Sequence, residues 1–308
     1  MGKRFRRVVV VATVTALAWA GFAVPMTASI ASAAQVRAPS LPPSRPSSPP
    51  GPPYYLSLGD SLAQGVQPTA TGQSVETDQG YANDLYDLYR FAYPGLHLEK
   101  LGCPGETTET MVHGGICSYP EGSQLAAAVA FLRTHRVAFV TLDIGANNVD
   151  DCVTGTAINL GCVESGIGAV VSDLPVVLSA LRAAAPGVPI YGMNYYDPFL
   201  AAWLEGSTGR IVATASLALA NTFNGDLGAV YAQFGVPVAN VAGLFQTDDM
   251  NEVPVIDEPV DVSTLCSLTW MCVPPPVGPN IHANAAGYWV IAAAFAAKLG
   301  FPGFAGVW

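Results

Sequence analysis

Residues 137–144 read VAFVTLDI and are followed directly by GANN at residues 145–148. A nearly continuous apolar run in which several side chains are β-branched is typical of a strand buried on both faces. A strand of this kind belongs to a parallel sheet that helices cover on both sides. The segment therefore indicates an α/β protein, and the polar residues after it mark the strand end at which such sheets bind ligands.

Similar short apolar runs alternate with helical segments along the rest of the chain. The five predicted strands span residues 54–58, 96–101, 137–144, 188–194 and 237–241. The predicted helices span residues 80–89, 124–134, 166–184, 210–234 and 284–299. This alternation predicts a three-layer α/β/α domain around a mostly parallel five-stranded sheet, with any ligand site at the carboxyl ends of the strands.

The first 53 residues have the composition of segments that lie outside this domain. Residues 1–33 combine a basic start, an apolar run and an Ala31-Ser32-Ala33 cleavage pattern, as in an export signal. The alternative is an uncleaved membrane anchor, because the apolar run is slightly longer than a usual signal core. Residues 34–53 are dense in Pro and Ser and predict an extended linker. We therefore expect a secreted, monomeric protein with one folded domain over residues 54–308 and no membrane span after signal cleavage.

The charge balance excludes two classes of function. The chain has 13 Lys and Arg against 23 Asp and Glu, a formal net charge of −10, and only seven of the basic residues lie beyond residue 53. So acidic a surface repels phosphate backbones, which excludes nucleic-acid binding as the main activity. The chain also has no Gly-Lys-Ser/Thr sequence, which excludes a Walker-type nucleotide loop.

The six cysteines indicate three disulfides, since their number is even and the chain carries an export signal. Many pairings are possible. We expect the three that are local in sequence, because they need no long-range contact; these are Cys103–Cys117, Cys152–Cys162 and Cys266–Cys272. A metal site is the weaker interpretation, because no two of these cysteines have the C-x-x-C spacing.

Four short blocks stand at predicted strand ends or just before the last helix. They are Gly59-Asp60-Ser61-Leu62, Gly102-Cys103-Pro104-Gly105-Glu106-Thr107, Gly145-Ala146-Asn147-Asn148 and Pro279-Asn280-Ile281-His282. In this order the blocks resemble those of the SGNH hydrolases, also called GDSL esterases and lipases, and they span essentially the whole folded domain. The resemblance implies a flavodoxin-like SGNH hydrolase fold and an ester hydrolase that needs no metal or organic cofactor.

Ser61 and His282 are the predicted catalytic pair. A Ser at a strand-to-helix turn is exposed for nucleophilic attack, and a His just before the last helix can accept its proton at the sheet edge. The alternative for Ser61 alone is a helix cap, and for His282 alone a solvated loop residue. The other three histidines are interpreted as surface or packing residues; they are His97, His113 and His135.

The sequence departs from the family pattern at the residue that orients the histidine. The family normally has an Asp three residues before this His, and Pro279 stands there. We expect the main-chain carbonyl of Pro279 or a neighbour to accept the second ring N–H. The alternative is a carboxylate from the loop that contains Asp257, Glu258 and Asp261. If neither serves, the protein could be a catalytically silent binder.

The resemblance also implies an oxyanion hole made of the backbone N–H groups of Ser61 and Gly105 and the side-chain amide of Asn147. Asn148 stands where the family usually has an Asp, a change that leaves the Asn147 donor intact. The predicted function is therefore a secreted carboxylic ester hydrolase acting on lipid or small-molecule acyl esters. A polysaccharide deacetylase of the same fold and a non-catalytic cell-surface or carbohydrate-binding protein are the alternatives.

Overall fold

The structure is a computed structural model that describes residues 49–155, 157–253 and 258–300. The predicted export signal and residues 34–48 of the predicted linker lie outside the described residues, as does Asp257. The first strand begins at Pro53, at the end of the Pro- and Ser-rich segment.

The described residues contain five strands that form a central sheet and eight that pair in short two-stranded ribbons. In chain order they are β1 (Pro53–Gly59), β2 (Gln67–Pro68), β3 (Ser74–Val75), β4 (His97–Lys100), β5 (Arg136–Asp143), β6 (Val153–Thr154), β7 (Ala157–Ile158), β8 (Ile190–Met193), β9 (Val238–Ala239), β10 (Glu252–Val253), β11 (Glu258–Pro259), β12 (Thr269–Trp270) and β13 (Asn280–Ala283).

The central sheet has the order β4-β1-β5-β8-β9, and every neighbouring pair in it is parallel. Numbered along the chain this is 2-1-3-4-5, the doubly wound order of flavodoxin-like folds. The predicted α/β/α class and five-stranded parallel sheet are thus confirmed. The order reverses between β1 and β5, and ligands of such sheets bind at the carboxyl ends of the strands beside this reversal.

The described residues contain nine α-helices. They are α1 (Ser61–Gln64), α2 (Tyr81–Tyr89), α3 (Thr108–His113), α4 (Gln124–Thr134), α5 (Leu160–Ala184), α6 (Ser207–Gln233), α7 (Val241–Leu244), α8 (Val260–Leu268) and α9 (Ala285–Leu299). Helices α2 and α9 contact each other, whereas α5 contacts both α4 and α6. These two groups form the outer layers expected of a doubly wound fold.

Helix α5 begins six residues earlier than predicted, at Leu160 instead of residue 166. The reason is local: Asn159 caps the helix, its side chain accepting a hydrogen bond from the backbone N–H of Cys162 at 3.1 Å. By length and composition alone, the same helix could cross a membrane. It nonetheless buries Val170, Leu174 and other apolar residues inside the domain.

The three predicted disulfides are present, joining Cys103 to Cys117, Cys152 to Cys162 and Cys266 to Cys272. The first ties the loop after β4 to the segment after α3, and the third joins the end of α8 to the segment after β12. Both therefore fasten loops that carry predicted site residues.

Candidate active site

Ser61 is the first residue of the short helix α1, directly after β1. Asp60 caps this helix, because its Oδ1 accepts a hydrogen bond from the backbone N–H of Leu62 at 2.9 Å. The turn therefore follows the carboxyl end of β1, beside the reversal of the strand order. The Ser61 side chain lines a cleft there.

A buried carboxylate supports this turn from the next strand. Asp143, the last residue of β5, is fully buried, and its Oδ2 accepts hydrogen bonds from the backbone N–H groups of Ala63 at 3.1 Å and Asp60 at 3.4 Å. The Tyr81 hydroxyl donates to its other oxygen. Burial, and then the charge of Asp60, raises the pKa of Asp143 well above its usual range. Burial also raises the pKa of Asp60, to about 6.

Gly59 allows β1 and β5 to approach closely just before the nucleophile. Its φ is +136°, and a Cβ there would lie 1.9 Å from the backbone oxygen of Asp143. The side-chain amide of Gln124 hydrogen-bonds both backbone polar groups of this residue. It accepts from the Gly59 N–H at 2.7 Å and donates to the Gly59 carbonyl at 2.8 Å. No residue with a side chain fits this position without displacing the strand end.

The three predicted oxyanion donors face one cleft. Ser61, Gly105 and Asn147 line it together, and neither the Ser61 nor the Gly105 N–H bonds an acceptor within the described part of the chain. Asn147 donates one amide hydrogen to the Glu106 carbonyl at 3.0 Å, which leaves a second hydrogen for a ligand.

Asn148 links the loops after β4 and β5 in place of the usual family Asp. Its Oδ1 accepts from the backbone N–H of Thr108 at 3.0 Å, and its Nδ2 donates to the Thr108 hydroxyl at 3.0 Å. The Asn148 amide therefore supplies supporting hydrogen bonds at the position of the family Asp. It uses one donor and one acceptor, whereas a carboxylate can only accept.

His282 lies on β13 and is 9% exposed. It lines the same cleft as Ser61 and Asn147. Burial lowers the pKa of His282 to about 4, so its ring is neutral and can act as a base at neutral pH. No hydrogen bond joins the Ser61 hydroxyl to this ring among the described residues, and such bonds are often long before a substrate binds.

The partner of the His282 ring differs from the expected Pro279 carbonyl. His282 Nδ1 lies 2.7 Å from Oδ1 of Asn280, which also accepts from the backbone N–H of His282 at 3.1 Å. Asn280 was not among the predicted site residues, although an amide two residues before the histidine was a visible signal. Glu258 and Asp261, the expected alternatives, make no hydrogen bond to the ring in the described structure.

The remaining histidines lie away from this cleft. His97 stacks on Tyr54 with ring centroids 5.2 Å apart, and His135 stacks on Phe131 at 4.0 Å. His113 ends α3. None of them lines the cleft, which agrees with their interpretation as surface or packing residues.

Two cavities meet at Ser61 and His282. One is mostly apolar and includes Val149, Val153, Val163, Leu219 and Phe223. Asp150 and Asp197 lie in its wall, where burial raises their pKa values to about 8 and about 6. The other cavity is bordered by Ser74, Glu76, Pro104 and Gly105. A carbonyl placed between the two would have a mostly apolar space on one side and a less apolar one on the other.

The chain matches the family model of the GDSL-like lipase/acylhydrolase family over residues 57–290. Among solved structures it is similar to phospholipase A1 from Streptomyces albidoflavus, with 19% identity and a TM-score of 0.52 over 80% of this chain and 100% of that one. It is also similar to an extracellular lipase from Streptomyces rimosus, with 19% identity and a TM-score of 0.50 over 79% of this chain and 99% of that one. At this identity the two structures support the fold. Comparison with curated protein sequences gives no match.

Proposed function

The chain belongs to the GDSL-like lipase/acylhydrolase family of hydrolases, and we propose that it is a secreted serine ester hydrolase in which Ser61 is the nucleophile and His282 the base. The observation that carries the proposal is that Ser61, His282, Gly105 and Asn147 line one cleft. These are the groups that acyl transfer requires: a hydroxyl, a neutral imidazole and donors for an oxyanion.

The reaction follows from the roles of these groups. The Ser61 oxygen attacks the ester carbonyl carbon while its proton passes to Nε2 of His282. The carbonyl oxygen becomes an oxyanion, which the N–H groups of Ser61 and Gly105 and the Asn147 amide stabilise. The intermediate collapses to an acyl-serine, and the alcohol leaves with the proton from His282. Water, activated by His282, then releases the acid and regenerates Ser61.

The two cavities suggest which part of the ester lies on each side. The apolar cavity suits an acyl chain, because aliphatic and aromatic side chains dominate its wall. The cavity beside Ser74, Glu76 and Gly105 suits the more polar alcohol. Asp150, with its raised pKa of about 8, is mostly protonated at pH 7, which reduces the negative charge that faces the acyl chain of the substrate. Acyl esters longer than acetate are therefore the proposed substrates.

Secretion is part of the proposal. Three disulfides join all six cysteines of the chain, as is usual in oxidising compartments, and the amino-terminal sequence reads as an export signal. The similar Streptomyces rimosus protein is described as extracellular.

The function is tested with purified protein and chromogenic esters of increasing acyl length. Ser61→Ala should lower kcat by at least about 10⁴-fold without changing the thermal melting curve, because the hydroxyl makes the covalent bond. A fluorophosphonate should label Ser61 in the parent protein, as located by peptide mass mapping. Substantial ester hydrolysis by Ser61→Ala would refute the nucleophile. A preference for acetylated polysaccharide over every longer ester would favour the deacetylase alternative.

A further inference from the structure

We infer that the Asn280 side chain is the positioning residue that sets the tautomer of His282, in the role that a carboxylate fills in most serine hydrolases. The inference rests on the proposed function, because it assigns a partner to the proposed base. It predicts a catalytic group of Ser, His and Asn with no negative charge on the orienting member.

The hydrogen bonds of the Asn280 amide identify which of its atoms faces the ring. The backbone N–H of His282 can only donate, and it lies 3.1 Å from one amide atom of Asn280, which must therefore be the oxygen. The same oxygen lies 2.7 Å from His282 Nδ1. Because an amide oxygen only accepts, Nδ1 carries the proton, and Nε2 is left as the free base.

A second contact holds the amide in this orientation. Asn280 Nδ2 donates to the Ser74 hydroxyl at 2.9 Å, across to the β2–β3 ribbon. The opposite orientation of the amide would direct its NH₂ group at the His282 N–H, two donors face to face. Asn280 does not border either cavity, so it acts through His282 and not on substrate.

A neutral partner has a consequence for the pH dependence. A carboxylate beside the ring would stabilise the imidazolium and raise its pKa, whereas an amide offers only a dipole. This agrees with the low pKa of His282, about 4, which has burial as its cause. The ionisable groups that border the same cavities are Asp60, Glu76, Asp150, Asp197, Tyr195 and Tyr196. These groups are the same in the parent and in the Asn280 variants, so a difference between their pH profiles is caused by the change at Asn280.

The test compares kcat/KM against pH for the parent, Asn280→Asp and Asn280→Ala. Asn280→Asp should move the acidic limb upward by roughly 1 to 3 pH units, because the new carboxylate favours the charged ring. Asn280→Ala should lower kcat about 100-fold with little change in KM, since proton transfer by a positioned base contributes at least that much. Asn159→Asp is the matched control: it adds the same charge at an exposed helix cap and should leave the profile unchanged.

Nitrogen NMR of the imidazole rings reads the tautomer without requiring activity. The chain has four histidines, so four rings are observed, and His282→Ala identifies the relevant one. The parent should show Nδ1–H for His282, Ser74→Ala should weaken that preference, and Asn280→Ala should lose it.

Two results would overturn the inference: an Asn280→Asp profile that coincides with the parent, or an unchanged tautomer in Asn280→Ala with kcat reduced less than threefold. Either would return the role to a main-chain carbonyl such as that of Pro279. This failure is distinct from failure of the proposed function, which is read from Ser61→Ala. Should Asn280→Ala misfold, Asn280→Asp and Ser74→Ala still decide the outcome.

Discussion

Ser61 follows β1, an inner strand of the central sheet, whereas His282 lies on β13, a ribbon strand outside that sheet. The Ser61 turn is held by groups from distant segments, namely Asp143, Gln124 and Tyr81, all fully buried. Around His282 the contacts are partly local: Asn280 on the same strand, and a disulfide joining Cys266 to Cys272 beside the partner strand β12. The nucleophile is thus positioned by the folded core, and the base by the β12–β13 strand pair, beside which a disulfide closes a short loop.

This difference predicts which substitutions should reduce stability and which should reduce activity. A change beneath Ser61 should cost stability and activity together, because the same hydrogen bonds hold the strand end and the turn. A change around His282 should cost activity out of proportion to stability. The following substitutions test that contrast.

Gly59→Ala should have the largest effect on stability. The new Cβ would overlap the Asp143 backbone oxygen, 1.9 Å away, at a φ of +136°. We expect a loss of roughly 3 kcal/mol or more in the free energy of unfolding, together with loss of activity. Gly115→Ala is the matched control, because its φ is +122° but nothing lies within 4 Å of the added Cβ. Equal losses in chemical denaturation would mean that backbone conformation, and not the close approach to β5, is what Gly59 provides.

Asp143→Ala should destabilise the protein by about 3 kcal/mol, because it leaves the Ala63 N–H and the Tyr81 hydroxyl without their acceptor in a buried site. It should also lower kcat, since the Ser61 turn loses its support. Asp143→Asn keeps an acceptor and removes a charge that burial already disfavours, so we expect a loss of about 1 kcal/mol. Thermal melts and ester hydrolysis measure both effects. If the amide is as damaging as alanine, charge and not hydrogen bonding supports the turn.

Removing the Cys266–Cys272 disulfide by double substitution to Ser should cost about 2 kcal/mol of stability, the least of the three disulfides, because it closes the shortest loop. The Cys103–Cys117 pair closes a longer loop, and its removal should cost about 3 kcal/mol. We expect the Cys266–Cys272 variant nonetheless to lower kcat more per unit of stability lost, since it loosens the strand pair that carries His282. A kcat equal to the parent's in the folded variant would show that β13 keeps its position without the Cys266–Cys272 disulfide.

The central sheet was predictable because its strands are local apolar runs whose ends carry the polar blocks. Each of the five predicted segments overlaps an observed strand of the sheet. The start of α5 was missed because the segment before residue 166 is mixed in polarity, and only the Asn159 cap marks the true beginning. Among the site residues, Ser61 and His282 were identified by the resemblance of their sequence blocks to those of the family, and the structure brings both to one cleft.

The α/β class, the strand ends at which the site residues stand and the disulfide pairs could be predicted from the sequence, because they follow from local periodicity, turn residues and short chain separations. Only the tertiary structure decided the partner of His282. The Asn280 oxygen faces the ring, and Ser74, 206 residues earlier in the chain, meets the other end of the amide. The direction in which one amide points depends on which donors the folded chain brings to it, and no local pattern in the sequence records that.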